Sequence, residues 1–406
     1  MEVSTSIKNT ILSIILTYNQ NVMKLKNISF LLLICLIASC SQHNTTDKRP
    51  IETVDIKNAF EKRKPININD ISKECKYIVL ESTKESLIDD NSTIYSDDQY
   101  LVAISRKQIL LFDRESGRFI REIGNPGNGP NEYSIAYTSM PYNERLKVVY
   151  AKRNHERSEY GLDGKLIITK KGPAQVWDFV NLDENTYVSF IDNYEGDEKK
   201  KIVIFNKEDS IIKIFPNYQS FPFKGSFFVY SPNSWFYMLN KQTNFCEKFN
   251  DTLFAVTLNS LIPRFVFEKG EYSFPYELRG DIINIEEKYF LSENVLESTK
   301  FLLYTFSFKK KIYTAVYDKK QKNTIVNDYI GEWGNGYINN INDFVPLEIS
   351  SINEEDELIC TIDAYKIKLW FEENPEKINQ LPEYLKNLNN IQETNNPVII
   401  IAKLKK

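Results

Sequence analysis

Short apolar runs rich in Val, Ile, Tyr and Phe recur along the chain, and turn residues separate them. Tyr77-Ile78-Val79-Leu80, Leu101-Val102-Ala103-Ile104, Gln108-Ile109-Leu110-Leu111-Phe112, Lys147-Val148-Val149-Tyr150 and Lys201-Ile202-Val203-Ile204-Phe205 are examples. β-Branched and aromatic side chains suit a pleated surface. Runs this short, with little 3.6-residue periodicity, predict antiparallel strands.

The runs also repeat. An aromatic residue, a turn and a second apolar run follow one another at Phe112, Tyr160, Phe205, Phe249 and Tyr317, spaced 48, 45, 44 and 68 residues apart. A period in the mid-forties is that of a four-stranded propeller blade. Each aromatic is expected to end an inner strand, with the outer strand after the turn. The 68-residue gap predicts an insertion around Tyr276 to Leu296. A sixth blade is expected from Phe344 to Trp370, completed by the run Pro397 to Ala402. Pairing that run with a strand near the mature N-terminus would close the ring and remove open edges. Glu372 to Gln392, polar with spaced leucines, predicts a short helix. The expected fold is all-β: a six-bladed β-propeller of four-stranded antiparallel blades over residues 61–406, with a short helical insertion near the C-terminus.

The first 39 residues read differently. Met23 to Asn27 is a short basic region, and Ile28 to Ala38 is an eleven-residue apolar run broken only by Ser29. That length suits a signal peptide, whereas a membrane-spanning helix needs about 20 residues. Residues 1–39 are therefore expected to be removed, with Met23 as the true start. The run ends Leu36-Ile37-Ala38-Ser39-Cys40, which resembles the lipobox of bacterial lipoproteins. The resemblance implies cleavage before Cys40 and acylation of its sulfur and new amine, palmitate-type chains that would hold the protein on a membrane. Residues 40–60 begin with a polar stretch without apolar periodicity and are expected to be a flexible tether. Ser41, where Asp would resemble an inner-membrane retention signal, favours the outer membrane, facing the periplasm or the cell surface.

Composition narrows the classes of function. With 42% hydrophobic and 13% aromatic residues the chain is too apolar to be disordered. The formal charge of -4 comes from 51 basic and 55 acidic residues that are interspersed. There is no basic field, so no nucleic-acid partner is expected. Loss of residues 1–39 removes Lys8, Lys24, Lys26 and Glu2 and takes the charge to -6. Two His and five Cys argue against a His-rich metal centre or a disulfide framework, and no metal or cofactor is expected. Cys75, Cys246 and Cys360 are expected as buried thiols, with one disulfide as the alternative.

Five segments in order resemble the six-bladed β-propeller lipoproteins of unknown function, which are NHL-like in style. They are Tyr77 to Ser82, the loop Ile123-Gly124-Asn125-Pro126-Gly127-Asn128-Gly129-Pro130-Asn131-Glu132-Tyr133, then Phe249 to Phe254, Ile341 to Pro346 and Asn396 to Ile401. The second matches the family's G-x-x-G-x-G-P-x-E-Y loop. The resemblance implies a fold and a location at the cell envelope, and no reaction.

Two loops carry candidate ligand-binding residues. Gly124 to Tyr133 could expose backbone N–H groups as an anion nest, but it lacks the Lys-Ser/Thr of a phosphate loop. It is expected chiefly as a blade-to-blade crossover pinned by Glu132 and Tyr133. Gly331 to Tyr337, with Trp333, and the nearby Asn342 and Asp343 combine an aromatic ring with amide and carboxylate, the chemistry of sugar recognition; interblade packing is the plainer expectation for Trp333. Asp89-Asp90, Asp97-Asp98 and Glu354 to Glu357 read as solvated hairpin tips, and His155 as part of an exposed turn. Lys199 to Lys201 and Lys309 to Lys311 read as edge-strand gatekeepers. No nucleophile elbow or zinc-protease motif occurs. The expected function is that of a binding or scaffold module for an envelope protein or glycan. The alternative is a glycan hydrolase or lyase using carboxylates and Tyr at the channel mouth.

Overall fold

A computed structural model describes residues 50–405, apart from positions 90, 137, 139, 154–155, 175, 177, 224–232 and 281–284. The expected signal peptide, Cys40 and most of the tether lie outside the described residues, as do Asp90 and His155. Residues 52–60, read above as tether, instead form a strand and most of a helix, β1 (Glu52–Asp55) and α1 (Ile56–Glu61). They fold because Val54, Ile56 and Phe60 are buried against the body of the protein. The short helix α2 (Ile68–Ile71) and strand β2 (Ser72–Val79) follow.

Six sheets make up the rest. Blade 1 contains β3 (Thr93–Ser96), β4 (Tyr100–Ile104), β5 (Ile109–Asp113) and β6 (Phe119–Glu122). Blade 2 contains β7 (Tyr142–Asn143), β8 (Val148–Arg153), β9 (Glu156–Gly161) and β10 (Leu166–Lys171). Blade 3 contains β11 (Val180–Asn181), β12 (Thr186–Phe190), β13 (Lys200–Asn206) and β14 (Ile211–Pro216). Blade 4 contains β15 (Ser234–Leu239), β16 (Gln242–Glu247), β17 (Thr252–Val256) and β18 (Leu261–Glu268). Blade 5 contains β19 (Leu291–Glu297), β20 (Phe301–Phe308), β21 (Lys311–Asp318) and β22 (Asn323–Val326). In blade 6 the short β23 (Tyr337–Asn339) is an extra strand inside the first strand, β24 (Phe344–Ile352); β25 (Glu357–Ile362) is the second, and helices α3 (Ala364–Glu373) and α4 (Glu383–Lys386) precede the third, β26 (Val398–Leu404).

The ring closes as the pattern predicts. β2 pairs antiparallel with β26, Cys75 opposite Ala402 and Tyr77 opposite Ile400, so the N-terminal strand is the outermost strand of blade 6. Val398 to Ala402 are buried along their whole length, and each buried Ile contributes roughly 1.5–3 kcal/mol relative to exposure. β1 adds a fifth strand to blade 4, parallel to β18.

One copy of the repeat is out of phase. Phe112, Tyr160, Phe205 and Tyr317 lie on the third strand of their blades, but Phe249 follows the second strand of blade 4. The matching position in blade 4 is the end of β17 at Val256, so the even spacing at Phe249 came from a different turn with the same aromatic-Asn-Asp chemistry. The insertion before blade 5 is a series of 3-10 turns at Gly270–Tyr272, Tyr276–Gly280 and Ile285–Glu287. The helical insertion begins earlier than expected: Trp370 lies on α3, because Ala364, Ile367, Trp370 and Phe371 form one buried helical stripe.

Hydrophobic clusters sit between neighbouring blades. Val102 and Leu111 meet Val149 and Tyr160 between blades 1 and 2. Leu101 and Phe112 meet Ile359 and Ile401 between blades 1 and 6. Arg157 sits in the joint between blades 2 and 3: its guanidinium is 1% exposed, lies 4.4 Å from the Tyr150 ring and 4.3 Å from the Phe179 ring, and donates to the Phe179 carbonyl at 2.7 Å.

Antiparallel connectivity gives the ring two unlike faces. The turns from first to second and from third to fourth strand share one face, here the hairpin face. The second-to-third turns and the crossovers between blades share the other, the loop face. On the loop face lie the glycine loop after β6, the 3-10 insertion after β18, the loop after β22 and the helices between β25 and β26.

Candidate functional site

The glycine loop is a clamp between blades 1 and 2. Gly127 N–H donates to the Tyr133 carbonyl, Tyr133 N–H to Asn125, and Gly129 N–H to the Glu132 carboxylate at 2.7 Å. These donors are spent inside the loop, so they form no open anion nest. Arg153 of β8 donates to the carbonyls of Gly129 and Pro130, and the Tyr160 hydroxyl to that of Asn131. Tyr133 is fully buried edge-to-face on Tyr160, and burial raises its hydroxyl pKa. Gly124 has φ of +64°, and a Cβ there would lie 2.8 Å from the Tyr160 ring.

Trp333, Asn342 and Asp343 sit on blade 6, away from that clamp. Trp333 packs on the hydrophobic cluster between blades 5 and 6 with Ile341 and Ile378. Asn342 accepts from the Tyr77 hydroxyl at 3.2 Å and donates to the Tyr384 hydroxyl at 3.2 Å, bridging β2 to α4. Asp343, with φ of +49°, pairs with Lys377 at 3.2 Å in the open. These contacts fasten the helical insertion to the ring.

Several charged groups differ from expectation. Lys201 is on an inner strand: it is buried and paired with Glu247, with Gln219 accepting at 2.9 Å, because blade 4 packs over it. Lys309 and Lys310 are the tip of the β20–β21 turn, with φ of +50° and +62°. Asp89 lies in the crossover after β2 and accepts from Ser105. Asp97 and Glu357 do lie at hairpin tips, but both are buried. Asp97 accepts from the N–H groups of Gln99 and Tyr100 and pairs with Lys147 at 2.6 Å, while the Tyr142 hydroxyl also reaches it at 2.5 Å. Glu357 accepts from Arg114 and Asn353. Beside them Glu144 accepts from Glu354 N–H at 2.9 Å, and burial pushes its pKa up to about 8. Both carboxylate oxygens of Asp97 are thus engaged within the protein. Cys75, Cys246 and Cys360 are free thiols, Cys246 and Cys360 buried. Among the described residues no cluster of His, Cys, Asp or Glu could hold a metal ion, and no helix is long and apolar enough to cross a membrane.

A cleft of about 520 Å³ opens where α1, the 3-10 insertion and the β20–β21 turn meet. Phe60, Tyr272, Phe308 and Tyr313 line it, with Arg63, Glu287, Lys288 and Lys309. Phe60 forms the floor, with ring centroids at 4.9 Å from Phe290, 5.0 Å from Tyr313 and 5.6 Å from Phe308. Tyr272 stacks on Phe290 at 4.4 Å and stays half-exposed. Arg63 lies 4.6 Å from the Phe60 ring and is oriented by Asp328 at 3.1 Å. Three cations against one carboxylate in the lining give the cleft a positive bias. An aromatic floor below cationic groups suits a ligand with an apolar ring face and an acid group. The signal in the sequence was the aromatic density of Tyr272 to Tyr276 and of Phe306 to Tyr313, but nothing linear joins these to Phe60 and Arg63.

Residues 51–403 match the model of a family described as a domain of unknown function, DUF4934. No curated protein matches the chain. Among solved structures, a protein from Bacteroides fragilis described as exported is similar over 88% of this chain and 100% of its own, with 16% identity and a TM-score of 0.66. That likeness shows the fold. The AfRom2 CNH domain covers 81% of this chain and 98% of its own at 8% identity and a TM-score of 0.36. The extracellular domain of a hybrid two-component system from B. thetaiotaomicron covers 71% and 32% at 10% identity and a TM-score of 0.36.

Proposed function

The chain belongs to the family described as domain of unknown function DUF4934, and from that premise we propose that it is an exported binding module of the cell envelope rather than an enzyme. Cys40 is its acyl anchor on the outer membrane, and the loop face holds the ligand. The cleft of Phe60, Arg63, Tyr272, Phe308, Lys309 and Tyr313 carries this reading. It is built from elements that the repeating blades do not need, the N-terminal helix and the 3-10 insertion, and insertions on one face of a repeat fold are where binding sites concentrate. The ligand class is an acidic glycan: the half-exposed Tyr272 ring meets the apolar sugar face, and Arg63, Lys288 and Lys309 meet its carboxylate. The export of the B. fragilis protein, as described, supports the same compartment.

A binding screen of the protein against neutral and uronic-acid glycans and against envelope proteins tests this. Retention of uronic-acid glycans, weakened about tenfold or more in Arg63→Ala, is expected from loss of a charge-assisted contact. Binding only to an envelope protein would move the reading to a scaffold, and shortened glycan products would replace it with the enzymatic one.

A further inference from the structure

The aromatic row that floors the cleft does not stop at its rim. Phe308, Phe60 and Tyr313 follow one another with ring centroids 5.6 and 5.0 Å apart. Tyr329 continues the row 5.5 Å beyond Tyr313, outside the cleft lining. The three rings of the floor are buried, whereas Tyr272 at one end and Tyr329 at the other stay half-exposed. These two are the rings with surface to offer a ligand. Tyr329 is held by a backbone need. β22 ends at Val326, opposite Ala315, so the Ile312 N–H lies past the end of that ladder. The Tyr329 hydroxyl accepts from it at 2.9 Å and so orients the ring.

Each step of the row also carries a cation. Lys309 Nζ lies 5.2 Å from the Phe308 ring, Arg63 Cζ 4.6 Å from Phe60 and 5.9 Å from Tyr313, and Lys311 Nζ 4.8 Å from Tyr329. A cation over an exposed ring keeps its hydrogen-bond donors. Among the described residues neither Lys309 nor Lys311 has an acidic partner. Asp328 accepts from Arg63 Nε at 3.1 Å and the Phe60 carbonyl from Nη1 at 3.1 Å, which leaves Nη2 open to an outside acid. Cations about one ring apart, between an exposed tyrosine at each end, match a ligand that itself repeats, sugar after sugar, each with its own carboxylate. A single acidic sugar would use one tyrosine and one cation and leave the other end idle.

We propose that Tyr329 and Lys311 form a second subsite continuous with the cleft, and that the ligand is a chain of acidic sugars lying from Tyr272 to Tyr329 rather than one acidic sugar. This rests on the reading of the cleft as an acidic-glycan site. Tyr329 gives the chain its second stacking surface, Lys311 takes a further carboxylate, and Arg63 takes the acid between them. Contacts to linked sugars are made within one molecule, so affinity rises with chain length until the row is filled.

Titration calorimetry of the protein with galacturonic acid and with trigalacturonic acid tests this. The trimer is expected to bind about tenfold or more tighter than the monosaccharide. Lys311→Ala should weaken the trimer about fivefold and leave the monosaccharide unchanged. Tyr329→Ala should weaken the trimer about tenfold. Tyr329→Phe, which keeps the ring and loses the hydroxyl bond to Ile312, should bind like wild type. Equal affinities for the two probes, or a trimer affinity untouched in Lys311→Ala, refute the second subsite; the cleft reading stands if Arg63→Ala still weakens both probes. A loss in Tyr329→Phe as large as in Tyr329→Ala assigns Tyr329 a structural role and overturns the proposal. No binding of either probe overturns the cleft reading itself, and the second subsite falls with it.

Discussion

Phe60 joins the N-terminal helix to blade 5 and floors the cleft, so its removal tests both. In Phe60→Ala the ring loses edge contacts to Tyr272, Phe290, Phe306, Phe308 and Tyr313, whose centroids lie 4.9–6.3 Å away. At 8% exposure the side chain is in the class whose truncation costs roughly 3–5 kcal/mol. The upper end is expected only if the cavity stays open. The cleft already lets solvent near, so about 3 kcal/mol is the better figure. A six-residue helix has no stability of its own, so α1 should detach locally before the ring unfolds. Urea denaturation should show a lowered midpoint, and amide exchange should speed up in residues 56–61 more than in β26. A loss below about 1 kcal/mol with unchanged exchange in α1 would refute the docking argument, and with it the claim that the cleft is preformed.

Three further outcomes follow from buried charges and one glycine. The Glu297 carboxylate is fully buried, paired with Arg264 at 2.7 Å and with Lys319 at 2.5 Å; burial works to raise its pKa, but these partners outweigh it and hold the pKa below the usual range. Its stabilising contribution is therefore present above the unfolded pKa and lost as pH falls through the folded one. Glu297→Gln should cost about 3 kcal/mol at pH 7 and flatten the acid limb of a stability-versus-pH curve. Glu144 has the opposite sign: burial raises its pKa to about 8, so its contribution is complete below the unfolded carboxyl pKa and lost as pH rises toward 8. Glu144→Gln should unfold at higher urea than wild type at pH 9, and equal midpoints there would contradict the buried environment. Gly117 has φ of +69°, and a Cβ would lie 2.1 Å from the Val79 carbonyl, so Gly117→Ala should cost roughly 2 kcal/mol by thermal or urea melting.

The repeat of aromatic, turn and strand was legible because each blade buries the same kind of strand in the same place, and spacing records that. It misled at Phe249, where a second-to-third turn carries the residues of a third-to-fourth one. Closure by β26 and β2 was legible because Val398 to Ala402 is too apolar for an edge. Glu132 and Tyr133 were legible as pins of the glycine loop, since a loop with three Gly and two Pro needs side chains to fix it. The cleft was not legible, because Phe60, Tyr272, Phe308 and Tyr313 are up to 253 residues apart and meet only when α1 crosses onto blade 5.

Local composition determined which segments become strands, how many blades form and how the ring shuts, because those depend on periodicity and on apolar side chains finding any apolar face. Tertiary structure alone decided which charges became buried pairs, such as Lys201 with Glu247 and Arg264 with Glu297. It also decided which edges β1 and α1 cover and which isoleucines remain in the open. Pair energies and coverage depend on distance and burial between residues that sequence order does not relate.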